Sequence, residues 1–216
     1  MVNDGATTSQ FDFSLIGDRV CLDYSNTVSW HPDGLREERL RTFNDLVSWA
    51  DAVGVLSGAK TALLKQAAHE YPKEAATALS AALRMRGVIH RLFTSLALGQ
   101  PPESTDLSTL NNAIRRAWSA VLIASVGKGD VLFERLWGHE ASDFGQILRP
   151  VVADAGDLLL SPQLVRVHTC ANKRCGWLFV DTSRNQMRRW CEMRSCGNRA
   201  KSRRHYSRNK PADAET

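Results

Sequence analysis

The chain has 216 residues, 43% of them hydrophobic and 24% charged, the balance of an ordinary water-soluble protein. Its net charge of +5 comes from 28 Lys and Arg against 23 Asp and Glu. No apolar run reaches the ~20 residues a membrane helix needs, and MVNDGATTSQ has neither the basic nor the apolar region of a signal peptide. A cytoplasmic protein without membrane contact is therefore expected, built as one large domain with a small appendage.

Residues 1–10 are polar and read as a disordered N-terminus. Phe11–Ile16 and Arg19–Tyr24 flank Gly17-Asp18, a pattern that predicts a β-hairpin. Val20, Leu22 and Tyr24 would then face the core, with Arg19, Cys21 and Asp23 on the opposite side. Residues 29–41 read as a loop. Asp23, Asn26, Trp30 and His31 put an acceptor, an amide, an indole and an imidazole within nine residues. They are candidates for one side of a ligand pocket, or for a turn capped by its own side chains.

Thr42 with Asp45 three residues on predicts a capped helix, with Phe43, Leu46, Val47, Ala50 and Val53 as its stripe and Gly54 as its end. A second helix is expected from Ser57 to Glu70, closed before Pro72. A third, the longest, is expected over 74–98, and Gly99 with Pro101-Pro102 stops it. A fourth starts at Thr105 or Asp106 and carries Leu107, Leu110, Ile114 and Ala117 on one face. Residues 119–137 read as a second hairpin around Gly127-Lys128-Gly129-Asp130, too short for a phosphate loop. A last helix over about 142–160 contains Pro150, which should kink it. Ser161-Pro162 is the expected domain boundary, and Leu164–Thr169 a strand beyond it.

Four of the five cysteines follow, Cys170, Cys175, Cys191 and Cys196, as two C-x4-C pairs separated by fifteen residues. Two thiol pairs on two short loops can surround one Zn²⁺ tetrahedrally, and thiolate is the ligand zinc favours. Disulfides or inert buried thiols are the alternatives, and a reducing compartment weighs against the first. Four thiolates leave the ion at −2, which Lys173, Arg174 and Arg194 on the two loops are placed to offset. A closed site of four cysteines keeps no open position for water, and no nucleophile or phosphate-loop motif occurs, so an enzyme is not expected. Trp177, Phe179 and Trp190 can stack bases, but a module this small needs aromatics for its own core.

From Leu164 to the C-terminus there are thirteen Lys and Arg against four Asp and Glu, whereas the preceding residues have fifteen against nineteen. Such asymmetry is the electrostatic footprint of a nucleic-acid module joined to an acidic domain. The segment after Cys196 has good helix formers and no Pro. Arg199 and Arg203 share one face, and Ala200, Arg204 and Arg208 the adjoining one. Phosphates would meet Lys201, Arg203, Arg204 and Arg208, with Arg188 and Arg189 flanking them. Asn198 and Arg199, at the zinc-anchored start, are the candidates for base edges, Arg199 having a rival role beside the thiolates.

Trp177-Leu178-Phe179, Asp181, Ser183-Arg184-Asn185, Arg189-Trp190-Cys191, Met193 and Cys196-Gly197-Asn198-Arg199 together resemble the CGNR zinc finger. Cys21-Leu22-Asp23-Tyr24-Ser25-Asn26-Thr27-Val28 resembles the L-D-x-x-N-T segment of the ABATE domain that usually precedes it. The resemblance implies a candidate bacterial stress-related transcription regulator. The expectation is thus an α+β protein: a mainly helical N-terminal domain with two β-hairpins over 11–162, a small four-cysteine zinc finger over 163–210, and a disordered tail over 211–216. It would hold one structural Zn²⁺ and bind double-stranded DNA, with the N-terminal domain sensing a small-molecule effector or forming a homodimer. A zinc-stabilised protein-docking module and an RNA binder are the alternatives.

Overall fold

The computed structural model describes residues 13–29, 37–125, 132–138 and 143–208. Six helices and a hairpin make up the first part: α1 (Val20–Ser25), α2 (Phe43–Ala52), α3 (Gly58–Glu70), α4 (Pro72–Ala97), α5 (Ser104–Ser119), β1 (Leu122–Ser125), β2 (Phe133–Leu136) and α6 (Leu148–Leu160). A second hairpin, β3 (Val167–Thr169) and β4 (Leu178–Val180), and the helix α7 (Asn198–Arg208) follow. The protein is therefore α+β, mainly helical, with two small antiparallel hairpins. Only one of these lies where the sequence predicts a hairpin.

Over the described residues of the expected hairpin at 11–24, from Phe13 on, the chain forms a bend and the short helix α1 instead. Its buried residues are Cys21, Leu22, Tyr24 and Ser25, a helical spacing, so Cys21 lies on the core side and not opposite it. Two contacts hold the helix where local propensity alone would not. The Asp23 carboxylate accepts from Gly17 N at 2.8 Å, and Asp154 on α6 accepts from Cys21 N at 2.9 Å. Gly17 is required by this closure, since a Cβ there would stand 2.8 Å from the Leu22 Cβ.

The remaining helices follow their signals. Thr42 and Asp45 form the capping box of α2, and Gly54 beyond its end has φ 72°. Pro72 sits in the first turn of α4, where it removes no needed hydrogen bond. Pro150 does not kink a long helix as expected. A 3-10 turn spans Phe144–Ile147 and α6 begins at Leu148, so the proline lies in the first turn, where its missing N–H is tolerated. β1 pairs with β2 from Leu122↔Leu136 to Ser125↔Phe133; its turn, with Lys128, lies outside the described residues.

α1 is the hub of the core. Tyr24 is fully buried, its ring 5.0 Å from that of Trp49 on α2, and its hydroxyl donates to Ala82 O on α4 at 2.6 Å. Leu22, Phe93, Ile147 and Leu158 close the interior around it. On α4, buried Arg86 donates to Thr27 Oγ1 at 2.9 Å and to both carboxylate oxygens of Glu38. That ion pair fastens the strand-like segments at 27–29 and 37–39 to the longest helix.

Strand β4 is shared between the two parts of the chain. Leu178 and Val180 alternate into the main core, which also takes Val167 of β3, while Phe179 between them faces the cysteine cluster. The C-terminal module is therefore built onto the helical part through one strand used on both faces.

Candidate metal centre and basic helix

The first cysteine pair brackets a tight knuckle after β3. Cys175 N donates to Asn172 O at 2.8 Å, Cys170 N to Trp177 O at 2.8 Å, and Gly176 with φ 69° turns the chain into β4. The second pair brackets a wide helical turn over Met193–Gly197, in which Gly197 N reaches back to Glu192 O at 3.1 Å. These loops bring the sulfurs of Cys170, Cys175, Cys191 and Cys196 within 4.8 Å of one another, all four buried. A tetrahedron with Zn–S bonds of ~2.3 Å requires sulfurs about 3.8 Å apart, so the donor set fits one zinc ion. Cys175 and Cys191 stand at 3.6 Å.

Cys170, Cys175 and Cys191 compete for ionisation. Hydrogen bonds from Cys175 and Cys191 draw Cys170 far down, whereas the bond to Cys170 raises Cys175 and Cys191 above a free thiol. A divalent cation at the centre removes that conflict by taking all four as thiolates. All five cysteines are free thiols, and Cys21 is buried in the main core.

One residue that touches the sulfurs was not anticipated. Buried Asn172 donates from Nδ2 to the Cys196 sulfur at 3.4 Å, and its Oδ1 accepts from Arg203 on α7 at 2.9 Å. Of Lys173, Arg174 and Arg194, expected to offset the cluster's charge, all are exposed, and Arg174 also lines the cavity beside Cys175, Cys191 and Cys196. An Asn between two ligand cysteines, as in Cys-Ala-Asn-Lys-Arg-Cys, is the signal that was available. Arg199 lines a cavity of about 260 Å³ together with Cys175, Cys191 and Cys196, which supports its role beside the thiolates.

The expected nucleic-acid residues divide into two groups. Arg188 turns inward. Its guanidinium donates to Asp18 at 2.7 Å, Ile16 O at 2.9 Å, Cys191 O at 2.6 Å and Trp190 O at 3.2 Å, and lies 4.3 Å over the Phe179 ring. With every nitrogen so engaged, it is a clamp between the two parts of the chain. Arg189 is exposed, 5.8 Å from the Trp190 ring. Asn198 is exposed at the first position of α7, with Nδ2 donating back to Arg194 O at 3.0 Å. Arg199, Lys201, Arg203 and Arg204 are all exposed on the helix, Arg203 reaching back to Asn172, and Arg208 is its last residue.

Of the four expected pocket residues, Trp30 and His31 lie outside the described residues. Asn26 is buried and uses both ends of its amide on β4, donating to Leu178 O at 2.8 Å and accepting from Leu178 N at 2.9 Å. Asp23 closes the Gly17 bend; burial, opposed by the Gly17 and Ile16 amides, raises its carboxyl to about 6. Trp177 donates from its indole to Val28 O at 2.9 Å, Arg39 stacks 5.0 Å from its ring, and His90 on α4 contacts Gly176 O at 2.9 Å. The L-D-x-x-N-T segment thus holds the metal-binding module.

Two family models match the chain. One, ABATE, described as "Putative stress-induced transcription regulator", covers residues 18–162; the other, the CGNR zinc finger, covers residues 166–209. Neither is an enzyme family. No curated protein matches significantly. Among the described residues, no helix is long and apolar enough to cross a membrane.

Proposed function

Since the chain belongs to the ABATE family and carries a CGNR zinc finger, we propose that it is a transcription regulator that grips duplex DNA with α7. One observation carries the reading. α7, NRAKSRRHYSR, starts two residues after the ligand Cys196 and bears five Lys and Arg with no acid, on a helix whose described side chains are exposed or half-exposed. A helix rooted in a metal site, with its cations on adjoining faces, is suited to phosphates, and its zinc-proximal Asn198 and Arg199 to base edges. The ABATE part acts as the sensing module. Because β4 is packed into both cores, a change in ABATE packing reaches the finger without a hinge between them.

Fluorescence anisotropy on a labelled duplex of mixed sequence tests this. Lys201, Arg204 and Arg208 with Arg189 beside them neutralise about four phosphates, giving a slope of log K against log [salt] of about −3 to −4. Lys201→Ala should weaken all sequences alike and flatten that slope by about one. Absence of duplex binding at low salt, with zinc fully bound, overturns the reading in favour of a protein-docking finger; tighter binding to RNA than to duplex DNA overturns it in favour of an RNA binder.

A further inference from the structure

The helical part contains a cavity that the metal centre, α7 and the L-D-x-x-N-T segment do not use. It opens between α4, α5 and the start of α6, with a volume of about 760 Å³, the size of a small-molecule pocket. Its floor is apolar: Met85 and Val88 of α4, Ala113 and Ala117 of α5, and Leu148 and Val152 of α6. Its lining contains four arginines, Arg84, Arg91, Arg116 and Arg149, and no carboxylate.

The four cations are not equivalent. Arg91 is held by Asp106, with Nε donating at 2.9 Å and Nη2 at 2.7 Å. Arg149 is held by Asp143 and donates to Trp137 O at 2.5 Å. These two guanidiniums are oriented by acids outside the cavity, which also neutralise them. Arg84 and Arg116 are exposed and form no ion pair among the described residues, which leaves the lining with an excess of two positive charges.

An apolar floor under a cationic rim matches a ligand with a hydrocarbon body and an anionic head. Guanidinium forks match the oxygens of planar carboxylates, as they do those of phosphates, two at a time. We propose that this cavity binds an organic carboxylate with an apolar body, the head between Arg84 and Arg116 and the body on the floor of α4 and α5. The proposal supplies an effector site for the sensing role above, yet it stands or falls on ligand binding alone, without DNA.

Titration calorimetry on the zinc-loaded chain tests it with dodecanoate and 2-naphthoate as aliphatic and aromatic probes, and with dodecanol and inorganic phosphate as controls. At least one carboxylate should bind one-to-one with Kd of about 10–100 μM, and both controls much more weakly. The double variant Arg84→Gln/Arg116→Gln, which alters only exposed side chains, should raise that Kd about tenfold to hundredfold. Ala81→Trp, at the exposed rim of the cavity, should abolish binding while leaving the melting curve in place. Dodecanol binding as tightly as dodecanoate, phosphate binding as tightly as either probe, an unchanged Kd in the double variant, or no heat with either carboxylate at millimolar concentration would overturn the proposal. Carboxylate binding that leaves duplex affinity unchanged would keep the site and count against the sensing role.

Discussion

Asn172 sits at the join of metal site and basic helix, with Cys196 on one end of its amide and Arg203 on the other. Removing such a partner of a ligand commonly costs ten- to a hundredfold in metal affinity, about 1.4–3 kcal/mol. Asn172→Ala should therefore lower zinc affinity by about tenfold or more in competition with a chromophoric chelator. Asn172→Asp should do worse, because it adds a negative charge to a cluster already at −2. Asp23 gives a different test at the same scale. Its carboxyl is raised to about 6 in the folded chain, chiefly by burial. An acid shifted upward favours the native state while protonated, so this contribution is present at pH 4 and is lost as pH rises through 6. Relative to Asp23→Asn, the wild-type chain should lose about 2 kcal/mol of stability between pH 4 and pH 7, read from denaturant titrations. Equal pH dependence of the two proteins would show that the carboxyl titrates normally.

Among the elements, α2 was legible because its signals are local: Thr42 and Asp45 cap each other within one turn. α1 was not. Val20, Leu22 and Tyr24 fit a period of two, while Cys21, Leu22, Tyr24 and Ser25 fit a helix, and six residues do not separate the two. The deciding partner, Asp154, lies 133 positions away. The four zinc ligands were legible from spacing alone. The inward turn of Arg188 was not, because its acceptors are mostly backbone carbonyls and Asp18, none of which a sequence motif marks. The same difficulty attaches to Arg199, which stands at the head of α7 and also lines the cavity beside the sulfurs. Zinc retention and duplex affinity measured on one Arg199→Ala protein separate the two roles. A base-reading Arg199 should cost about 1–3 kcal/mol on the preferred site with zinc retained. If zinc affinity falls and sequence preference is unchanged, the guanidinium serves the thiolates.

For the molecule as a whole, the finger would be expected to melt alone on chelation, because a module of some forty residues hangs on its metal. The shared strand changes that expectation. Leu178 and Val180 are at 0% and 1% exposure in the main core, and Asn26, Val28, Asp18 and Ile16 all bond to residues of the finger. Without zinc, Cys170 and Cys175 no longer fix the ends of the β3–β4 hairpin, and β4 loses its place. Burying two such side chains is worth about 3–6 kcal/mol at ~1.5–3 each, a large share of the 5–15 kcal/mol that holds a typical domain. Chelation, or Cys191→Ser, should therefore lower the melting temperature of the helical signal itself, and the loaded chain should unfold in one transition. A chain cut after Pro162, which lacks β4, should show the same destabilisation at every zinc concentration. Two separate transitions on chelation, with the helical one unmoved, would show that the ABATE part stands without the finger and that zinc governs α7 alone.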